Sequence, residues 1–498
     1  MSSARDTLLG LYADYNALEA AVGLMNWDRQ VLMPAGGAAA RTAHTGILTS
    51  KSHALLTSDE VRRALEALEA EAEPGSEDAA MARALRREVD IETKLPAELV
   101  ARKSQVSSDA YETWKQAKAE NRFDLLAPYL QQLFDIAGET AELLGYTDHV
   151  YDALIDLYEE GATFADADTM FREIKQPIVD LVREIRENGR PVDDSALTQD
   201  WNVPQLRDFA EATLGDIGFD FNRGRLNVAP NAFCSGSSYG DIRMTTRASS
   251  HLKGIVSSSL HEMGHALYEQ NSPPKWDRTP LAGGISLAVH ESQSRLWENI
   301  IGRSRGFWQH FLPSLQAAFP VLSGFDSESF YRAYSKVEPT FIRVGADELT
   351  YNLHILVRFE LEVEILTGKT AINDLPEAWN AKYEDYLGIK PSTDSIGCLQ
   401  DVHWSRGSVG YFPTYAMGNL IGAQMWKRLQ QDLPNTEDLM AQGDFAPILG
   451  WLVDRVYSKA KLVRPRQLVT DVTGRPMESG DWLEYANLKY RDIYGLVG

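Results

Sequence analysis

The sequence is poor in cysteine, with two residues, Cys234 and Cys398, in a chain of 498. Two cysteines make no disulfide framework, and each is expected to be a small buried apolar residue. No apolar run reaches the roughly 20 residues that a transmembrane helix needs. The N-terminus has no cationic start followed by an apolar core, so we expect no signal peptide. These absences favour a reducing, cytoplasmic location and argue against a membrane partner.

Positive charge is also scarce. The chain has 49 Lys and Arg against 71 Asp and Glu, which gives a net charge of −22. This balance disfavours nucleic acid as a partner and favours solubility, but it indicates no particular substrate. A hydrophobic content of 44% and a charged content of 24% are those of an ordinary globular protein.

Helical periodicity dominates the chain. The first two hundred residues are predicted to be helical, with breaks at 33–37, at 73–76 and at Pro96. Between residues 215 and 247 Gly, Asn, Ser and Thr become frequent, and strands are predicted at 225–228 and 241–246. The chain after residue 291 is helical again. We therefore predict a mainly α fold with a small β-sheet.

The second of these strands, 241–246, lies just before a helix of particular interest. In one interpretation it is an edge strand that holds extended peptide by backbone hydrogen bonds. In the other it belongs to a small structural hairpin. The sequence does not decide between them.

A helix is predicted over residues 249–271, because apolar residues recur there at helical spacing. Ser249 and Ser250 are candidate N-caps, and two consecutive prolines at 273 and 274 would stop the helix.

This helix contains the sequence His261-Glu262-Met263-Gly264-His265. Positions i and i+4 share one face of a helix, so the two histidines point the same way, as two ligands of one metal ion must. Glu262 can reach a water molecule at the metal and take its proton. This is the HExxH pattern of zinc peptidases, and the alternative is a chance pair of surface histidines.

Such a metal ion needs a third protein ligand and an open position for water. A second helical pattern offers His290 and Glu291, the latter 26 positions after His265. The intervening loop is long enough to bring the second helix across the first. From chemistry alone, either side chain is a candidate ligand.

Further motifs follow one another along nearly the whole chain. In order, they are Trp27-Asp28 with Met33-Pro34 and Gly36-Gly37, Asp241-x-Arg243-x-Thr245, the HExxH at 261–265, His290-Glu291-Ser292-Gln293, Ile342-Arg343-x-x-Ala346-Asp347, Gly397-x-x-Gln400-Asp401-x-His403-Trp404, Lys489-Tyr490 and Ile493-Tyr494-Gly495. In these motifs and their order the sequence resembles the carboxypeptidase Taq family of metal-dependent carboxypeptidases.

The resemblance implies one large helical peptidase domain over 1–498, with a deep substrate groove and a neurolysin-like architecture. We expect an N-terminal helical lobe over 1–200 and a catalytic lobe with the metal site over 201–498. The resemblance further implies that Glu291, not His290, is the third ligand. It also implies a cytoplasmic homodimer that uses zinc or cobalt. The implied activity is the removal of C-terminal residues from peptides with broad side-chain preference. On ligand chemistry alone, a site of two His and one Glu would also accept manganese.

Two departures from the family pattern stand out. Where the family usually has His-Pro-Phe, this chain has Asn231-Ala232-Phe233, and Asn cannot carry a positive charge near pH 7. If that histidine touches substrate, the rate or preference of this protein differs. Near the C-terminus a usual His and Gly are replaced by Tyr457 and Ala460, which we interpret as a change in packing.

By resemblance, the candidate catalytic residues are Glu262 as general base and His403 with Tyr415 or Tyr411 as donors to the tetrahedral oxyanion. Ordinary core packing is the alternative for each tyrosine. Glycines at 407 and 410 would let their loop close over substrate.

A carboxypeptidase must also recognise a free terminal carboxylate, and the planar guanidinium of arginine suits this because it pairs bidentately. Arg343 is the first candidate, and Arg243, with Asp241 of the same motif, is the second. The alternative for Arg343 is an internal salt bridge with Asp347 at i+4.

Two other functions compete with the carboxypeptidase. One is an endo-oligopeptidase with the same metal chemistry, which would also cut peptides with a blocked C-terminus. The other is a catalytically silent helical peptide-binding protein, which is disfavoured because the base and all three ligands are present. A purely structural zinc site is less favoured still, since such sites prefer four protein ligands.

Overall fold

The computed structural model describes residues 3–247 and 249–496, and these contain twenty α-helices and three strands. The helices are α1 (Ala4–Val31), α2 (Ala38–Leu56), α3 (Asp59–Glu71), α4 (Glu77–Lys94), α5 (Ala97–Glu120), α6 (Phe123–Leu144), α7 (Val150–Asp156), α8 (Phe164–Asn188), α9 (Val203–Ile217), α10 (Leu252–Gln270), α11 (Leu287–Arg295), α12 (Arg305–Ala318), α13 (Ser327–Tyr334), α14 (Tyr351–Leu366), α15 (Leu375–Leu387), α16 (Pro413–Asp432), α17 (Thr436–Ala441), α18 (Ala446–Arg455), α19 (Pro465–Thr473) and α20 (Gly480–Tyr494). The strands are β1 (Gly224–Ala229), β2 (Phe233–Ser238) and β3 (Asp241–Arg247). The predicted mainly α fold with a small sheet is confirmed.

The breaks predicted between the N-terminal helices are present in the structure. The segment 33–37 separates α1 from α2, and 73–76 separates α3 from α4. Ser58 and Ser76 cap α3 and α4, because each hydroxyl accepts a hydrogen bond from the third backbone amide of its helix. Within 3–247 and 249–496, no helix has both the length and the apolar character needed to cross a bilayer.

Buried apolar side chains form one large core and two smaller ones, the smallest of which contains Met81, Trp276, Leu281 and Ala460. The large core extends from Leu99 in α5 to Tyr494 in α20, and the core of intermediate size joins α1 to α4. The division into lobes at residue 200 and the deep substrate groove remain predictions.

The sheet has the strand order β1–β3–β2, so β3 is central and not at an edge as one interpretation of the sequence assumed. β1 pairs with β3 in parallel, and β2 pairs with β3 antiparallel as a hairpin. The sequence did not predict β2, because its serines and Gly236 have low strand propensity. A Cβ atom at Gly236 would lie 2.5 Å from Cδ1 at the tip of the Ile242 side chain, which would have to shift to accommodate it.

The helix α10 packs against this sheet. Thr246 of β3 hydrogen-bonds Ser258 of α10, with 2.8 Å between the hydroxyl oxygens. The prediction that Ser249 or Ser250 caps α10 is wrong: the N-cap is His251, whose side chain makes no capping bond. Ser249 instead accepts a hydrogen bond from the backbone amide of His251, which orders the approach to the helix.

Glycines allow α10, α11 and α16 to approach one another very closely. A Cβ atom on Gly264 of α10 would lie 2.5 Å from the backbone of Gln293 and Ser294 in α11. A Cβ atom on Gly418 of α16 would lie 2.6 Å from Cγ of Glu291. Glu291 of α11 is thereby held between α10 and α16. Any side chain at Gly264 or Gly418 would prevent this close approach of the helices.

We expect Gly418→Ala to displace Glu291 and to lower the free energy of unfolding by about 1–3 kcal/mol, as overpacking in a dense core does. Denaturant unfolding measures this change. The control is Gly450→Ala in α18, where a Cβ atom meets nothing within 4 Å. The control should stabilise the protein by up to about 1 kcal/mol, because alanine is the better helix former. Equal stability of the two variants would contradict the role assigned to Gly418.

Candidate active site

The structure brings together His261 and His265 of α10 and Glu291 of α11. The ligand atoms of these three side chains all lie within 4.8 Å of one another. Glu291 Oε2 is 3.6 Å from Nε2 of each histidine. The two imidazole rings are nearly perpendicular, at 85°. One ion placed between these atoms would contact all three, with room for a further ligand.

A second layer of charged side chains orients the three candidate ligands. Nδ1 of His261 is 2.9 Å from Glu298 Oε2, which leaves Nε2 facing the cluster. Arg295 donates to Glu291 at 2.6 Å and to Glu298 at 3.1 Å. Hydrogen bonds of this kind to the outer nitrogen of a ligating histidine are typical of metal sites.

His290 lies behind His265 and outside the cluster of ligand atoms. Its Nδ1 is 2.8 Å from His265 Nδ1, and its Nε2 is 2.6 Å from Glu269 Oε1. Both ring nitrogens are therefore engaged, and the geometry favours Glu291 over His290 as the third ligand.

Burial and neighbouring charges set the protonation of these groups. Burial raises the pKa of Glu262 to about 7, and the charges of Glu291 and Glu298 also raise it. Burial lowers the pKa of His265 to about 4, so its imidazole is neutral near pH 7, as a metal ligand must be. Burial would raise the pKa of Glu291, but Arg295 and the two histidines outweigh it and hold the pKa well below its usual range.

His403, Tyr411 and Tyr415 lie next to one another near the cluster. His403 Nε2 is 3.3 Å from the Tyr415 hydroxyl, and the rings of Tyr411 and Tyr415 are 5.1 Å apart. Burial raises the pKa of both tyrosines, and the charge of Glu291 adds to the effect, so both hydroxyls stay protonated. Tyr415 lies in the first turn of α16, three residues before Gly418 and on the helix face that packs against Glu291.

Arg343 is buried and paired with Asp401. Its Nη2 and Nε donate to the Asp401 carboxylate at 2.9 and 3.1 Å, and its Nη1 donates to the Tyr351 hydroxyl at 2.9 Å. The alternative salt bridge to Asp347 is not formed, because Asp347 accepts from the backbone amides of Leu349 and Thr350.

The second arginine candidate, Arg243, forms a bidentate pair with Asp241 at 2.9 and 3.0 Å. Its guanidinium also stacks on Trp27, 4.6 Å from the ring centroid. Trp27 is buried, in agreement with a packing role. Asn231, where the family usually has histidine, is exposed, and its backbone carbonyl accepts from the Thr245 hydroxyl.

Sequence reasoning missed several residues that support the site, chiefly Glu298, Arg295 and Glu269. Two of them could have been found, because Arg295 and Glu298 follow Glu291 by four and seven positions and therefore share its helix face. Glu269 gives no such signal, since its partner His290 lies on another helix.

The family model of the carboxypeptidase Taq (M32) metallopeptidases matches residues 7–490. The chain belongs to this family. Carboxypeptidase 1 of Bacillus subtilis is 36% identical over 477 residues, which is 95% of each chain. Thermostable carboxypeptidase 1 of Thermus thermophilus is 37% identical over 485 residues, again 95% of each chain. These relatives are named for the predicted activity, and not for either alternative function.

Solved structures agree with this assignment. The M32 carboxypeptidase of Deinococcus radiodurans superposes with a TM-score of 0.96 at 35% identity, covering 99% of this chain and all of that one. The carboxypeptidase of Pyrococcus furiosus superposes with a TM-score of 0.95, also at 35% identity, covering 98% of this chain and 99% of that one. The protein is a metallocarboxypeptidase, a peptide hydrolase that uses a divalent metal ion.

The residues present fit such an ion. Two imidazole nitrogens and one carboxylate oxygen form a donor set that suits zinc and similar divalent metals. Glu298 and His290 hold the outer nitrogens of the two histidines, so the inner nitrogens face one another across the cluster.

Replacing Glu298 by Gln should lower metal affinity by about 10- to 100-fold, because the charged acceptor that orients His261 is lost. Competition with a chromogenic zinc chelator measures the affinity. The control is Glu377→Gln, an exposed residue of α15 far from the cluster in sequence. Unchanged affinity in Glu298→Gln would contradict the orienting role.

Proposed function

We propose that this enzyme releases C-terminal amino acids one at a time from peptides, with broad side-chain preference, and that it uses one zinc ion. The observation that carries the proposal is the cluster of His261, His265 and Glu291 directly beside the buried carboxylate of Glu262. Cobalt or manganese would fit the same donor set, so metal supply would decide among them.

Glu262 is the proposed general base. When bound, the metal ion supplies Lewis acidity, polarising the scissile carbonyl and making a water molecule more acidic. Glu262 accepts a proton from the attacking water at a carboxylate oxygen and later donates it to the leaving amine. Its raised pKa supports this assignment, because a base with a pKa near the working pH can both accept and return a proton.

His403, Tyr411 and Tyr415 are the proposed donors to the oxyanion of the tetrahedral intermediate. The hydroxyls of the two tyrosines remain protonated near neutral pH and feel the charge of Glu291, which supports their placement close to the reacting carbonyl. Burial lowers the pKa of His403 to about 3, so this histidine would act as a neutral donor.

Arg343 is the proposed partner of the terminal carboxylate, with Arg243 and Asp241 as further substrate contacts. The bonds to Asp401 and Tyr351 use three of the five N–H groups of the Arg343 guanidinium and leave two for a substrate oxygen. The Tyr415 ring lies 5.1 Å from this guanidinium, which supports its position near the proposed oxyanion donors.

The setting of the enzyme is also a proposal. The low cysteine content favours a reducing cytoplasm, and the resemblance to the family favours a homodimer. Analytical ultracentrifugation would test the dimer.

The activity is tested with one peptide prepared as the free acid and as the C-terminal amide, incubated with zinc-loaded and with chelated protein. Timed mass spectrometry should show stepwise loss of C-terminal residues from the free acid only, and chelation should abolish it. Internal cleavage of both peptides would replace the proposal with an endo-oligopeptidase. No cleavage with zinc, cobalt or manganese would favour a silent peptide-binding protein and would point first to Asn231.

Replacing Glu262 by Gln should reduce kcat by about 10²- to 10⁴-fold, because the proton acceptor is removed. Metal content, measured by atomic absorption, should remain at the wild-type level, since Glu262 is not among the three clustered ligands. Glu377→Gln again serves as the control. Retention of wild-type kcat by Glu262→Gln would assign the base to another residue.

A further inference from the structure

Most arginines around the metal cluster already have a carboxylate partner. Arg295 pairs with Glu291 and Glu298, and Arg303 lies 3.8 Å from Glu298. Arg343 pairs with Asp401, as described above. Their positive charges are therefore largely compensated within the protein.

Arg247 is different. It is half-buried, yet among the residues that the structure describes its guanidinium has no hydrogen bond and no ion pair. Burial lowers its pKa, while the charges of Glu298 and Glu262 act in the opposite direction and the charge of Arg343 adds to the lowering. All five N–H groups of this guanidinium therefore remain available to an anion from outside the protein.

The position of Arg247 is that of a residue at the edge of the active site. It is the last residue of β3, whose preceding residue Thr246 contacts α10. Ser258, the partner of Thr246, comes three residues before His261, so β3 ends beside the helix that carries the two histidines. The charges of Glu298, Arg343 and Glu262 all act on Arg247.

We propose that Arg247 binds the terminal carboxylate of the substrate and forms, with Arg343, a two-arginine anion site. This inference rests on the proposed function and deepens it. A terminal carboxylate is one residue, about 3.5 Å of chain, from the scissile carbonyl, so its anchor must lie beside the metal cluster. Arg247 meets this requirement. Its planar guanidinium has no partner among the described residues and can pair bidentately with a carboxylate.

The two arginines have different parts in this site. Arg343 is held in a fixed orientation by Asp401, which also pairs with Arg358, so Arg343 supplies hydrogen-bond donors at defined positions. Arg247 supplies a positive charge that has no carboxylate partner among the described residues, and this charge attracts a carboxylate and not a neutral amide. A bound carboxylate would also relieve the repulsion between the two guanidinium groups.

The test compares Arg247→Met with wild type in the Glu262→Gln background, which binds peptide without cleaving it. Calorimetry with the zinc-loaded protein gives the affinity for one peptide as free acid and as amide. We expect Arg247→Met to weaken binding of the free acid by about 10- to 100-fold and to leave binding of the amide unchanged. Arg247→Lys should recover part of the lost affinity for the free acid, because lysine restores the positive charge but not the planar guanidinium that pairs bidentately.

Arg172→Met is the matched control, since Arg172 of α8 has a 71% exposed side chain. The control should bind both peptides as wild type does. Thermal unfolding should be unchanged in Arg247→Met, because no partner within the described residues is lost. If that variant fails to fold, Arg247→Lys carries the comparison, and its free-acid affinity should still fall.

Two results would overturn the inference: undiminished preference for the free acid in Arg247→Met, or equal loss of affinity for both peptides, which would indicate a purely structural role. Failure of the proposed function has a different signature. In that case the wild-type enzyme with an intact Glu262 would release no C-terminal residues, whatever the binding data show.

Discussion

The contact between the backbones of α10, α11 and α16 fixes the geometry of the whole site. Gly264 and Gly418 leave no space between these helices, so the carboxylate of Glu291 lies across the two histidines of α10. The same contact brings the first turn of α16, with Tyr415, close to the cluster. The close packing thus depends on the absence of a side chain at Gly264 and at Gly418. It sets the positions of the candidate ligands and of the proposed oxyanion donor.

Compensation of buried charge explains the protonation states around this contact. Burial acts to raise the pKa of both Glu291 and Glu262, yet the pKa of Glu291 lies well below its usual range while that of Glu262 is raised. The difference comes first from Arg295, which bonds Glu291 and not Glu262, and the two histidines lower the pKa of Glu291 further. One carboxylate is thereby kept ionised as a candidate ligand, while its neighbour can exchange a proton.

The sequence predicted the helices and the common face of the two histidines because both follow from local spacing, whereas the choice of Glu291 over His290 came from the resemblance to the family. The four-residue separation of His261 and His265 fixes their common face, and the N-terminal helix breaks follow from prolines and glycines. Contacts between distant segments could not be predicted in this way. The pairing of Arg343 with Asp401 joins positions 58 residues apart, and β2, which has low strand propensity of its own, is paired along its length with β3.

Asp401 is shared by two arginines, since Arg358 donates to its Oδ2 at 2.6 Å and Arg343 donates to its Oδ1 at 2.9 Å. One carboxylate therefore pairs with two buried cations from different elements and offsets one of the two positive charges, and its loss would leave both guanidinium groups unpaired by any carboxylate, at a cost of several kcal/mol. The three positions are not equivalent: loss of either arginine would leave the other paired with Asp401, whereas loss of Asp401 would leave both without a carboxylate. In evolution Asp401 should therefore be retained wherever both arginines are present, even though only one of these arginines is proposed to meet the substrate.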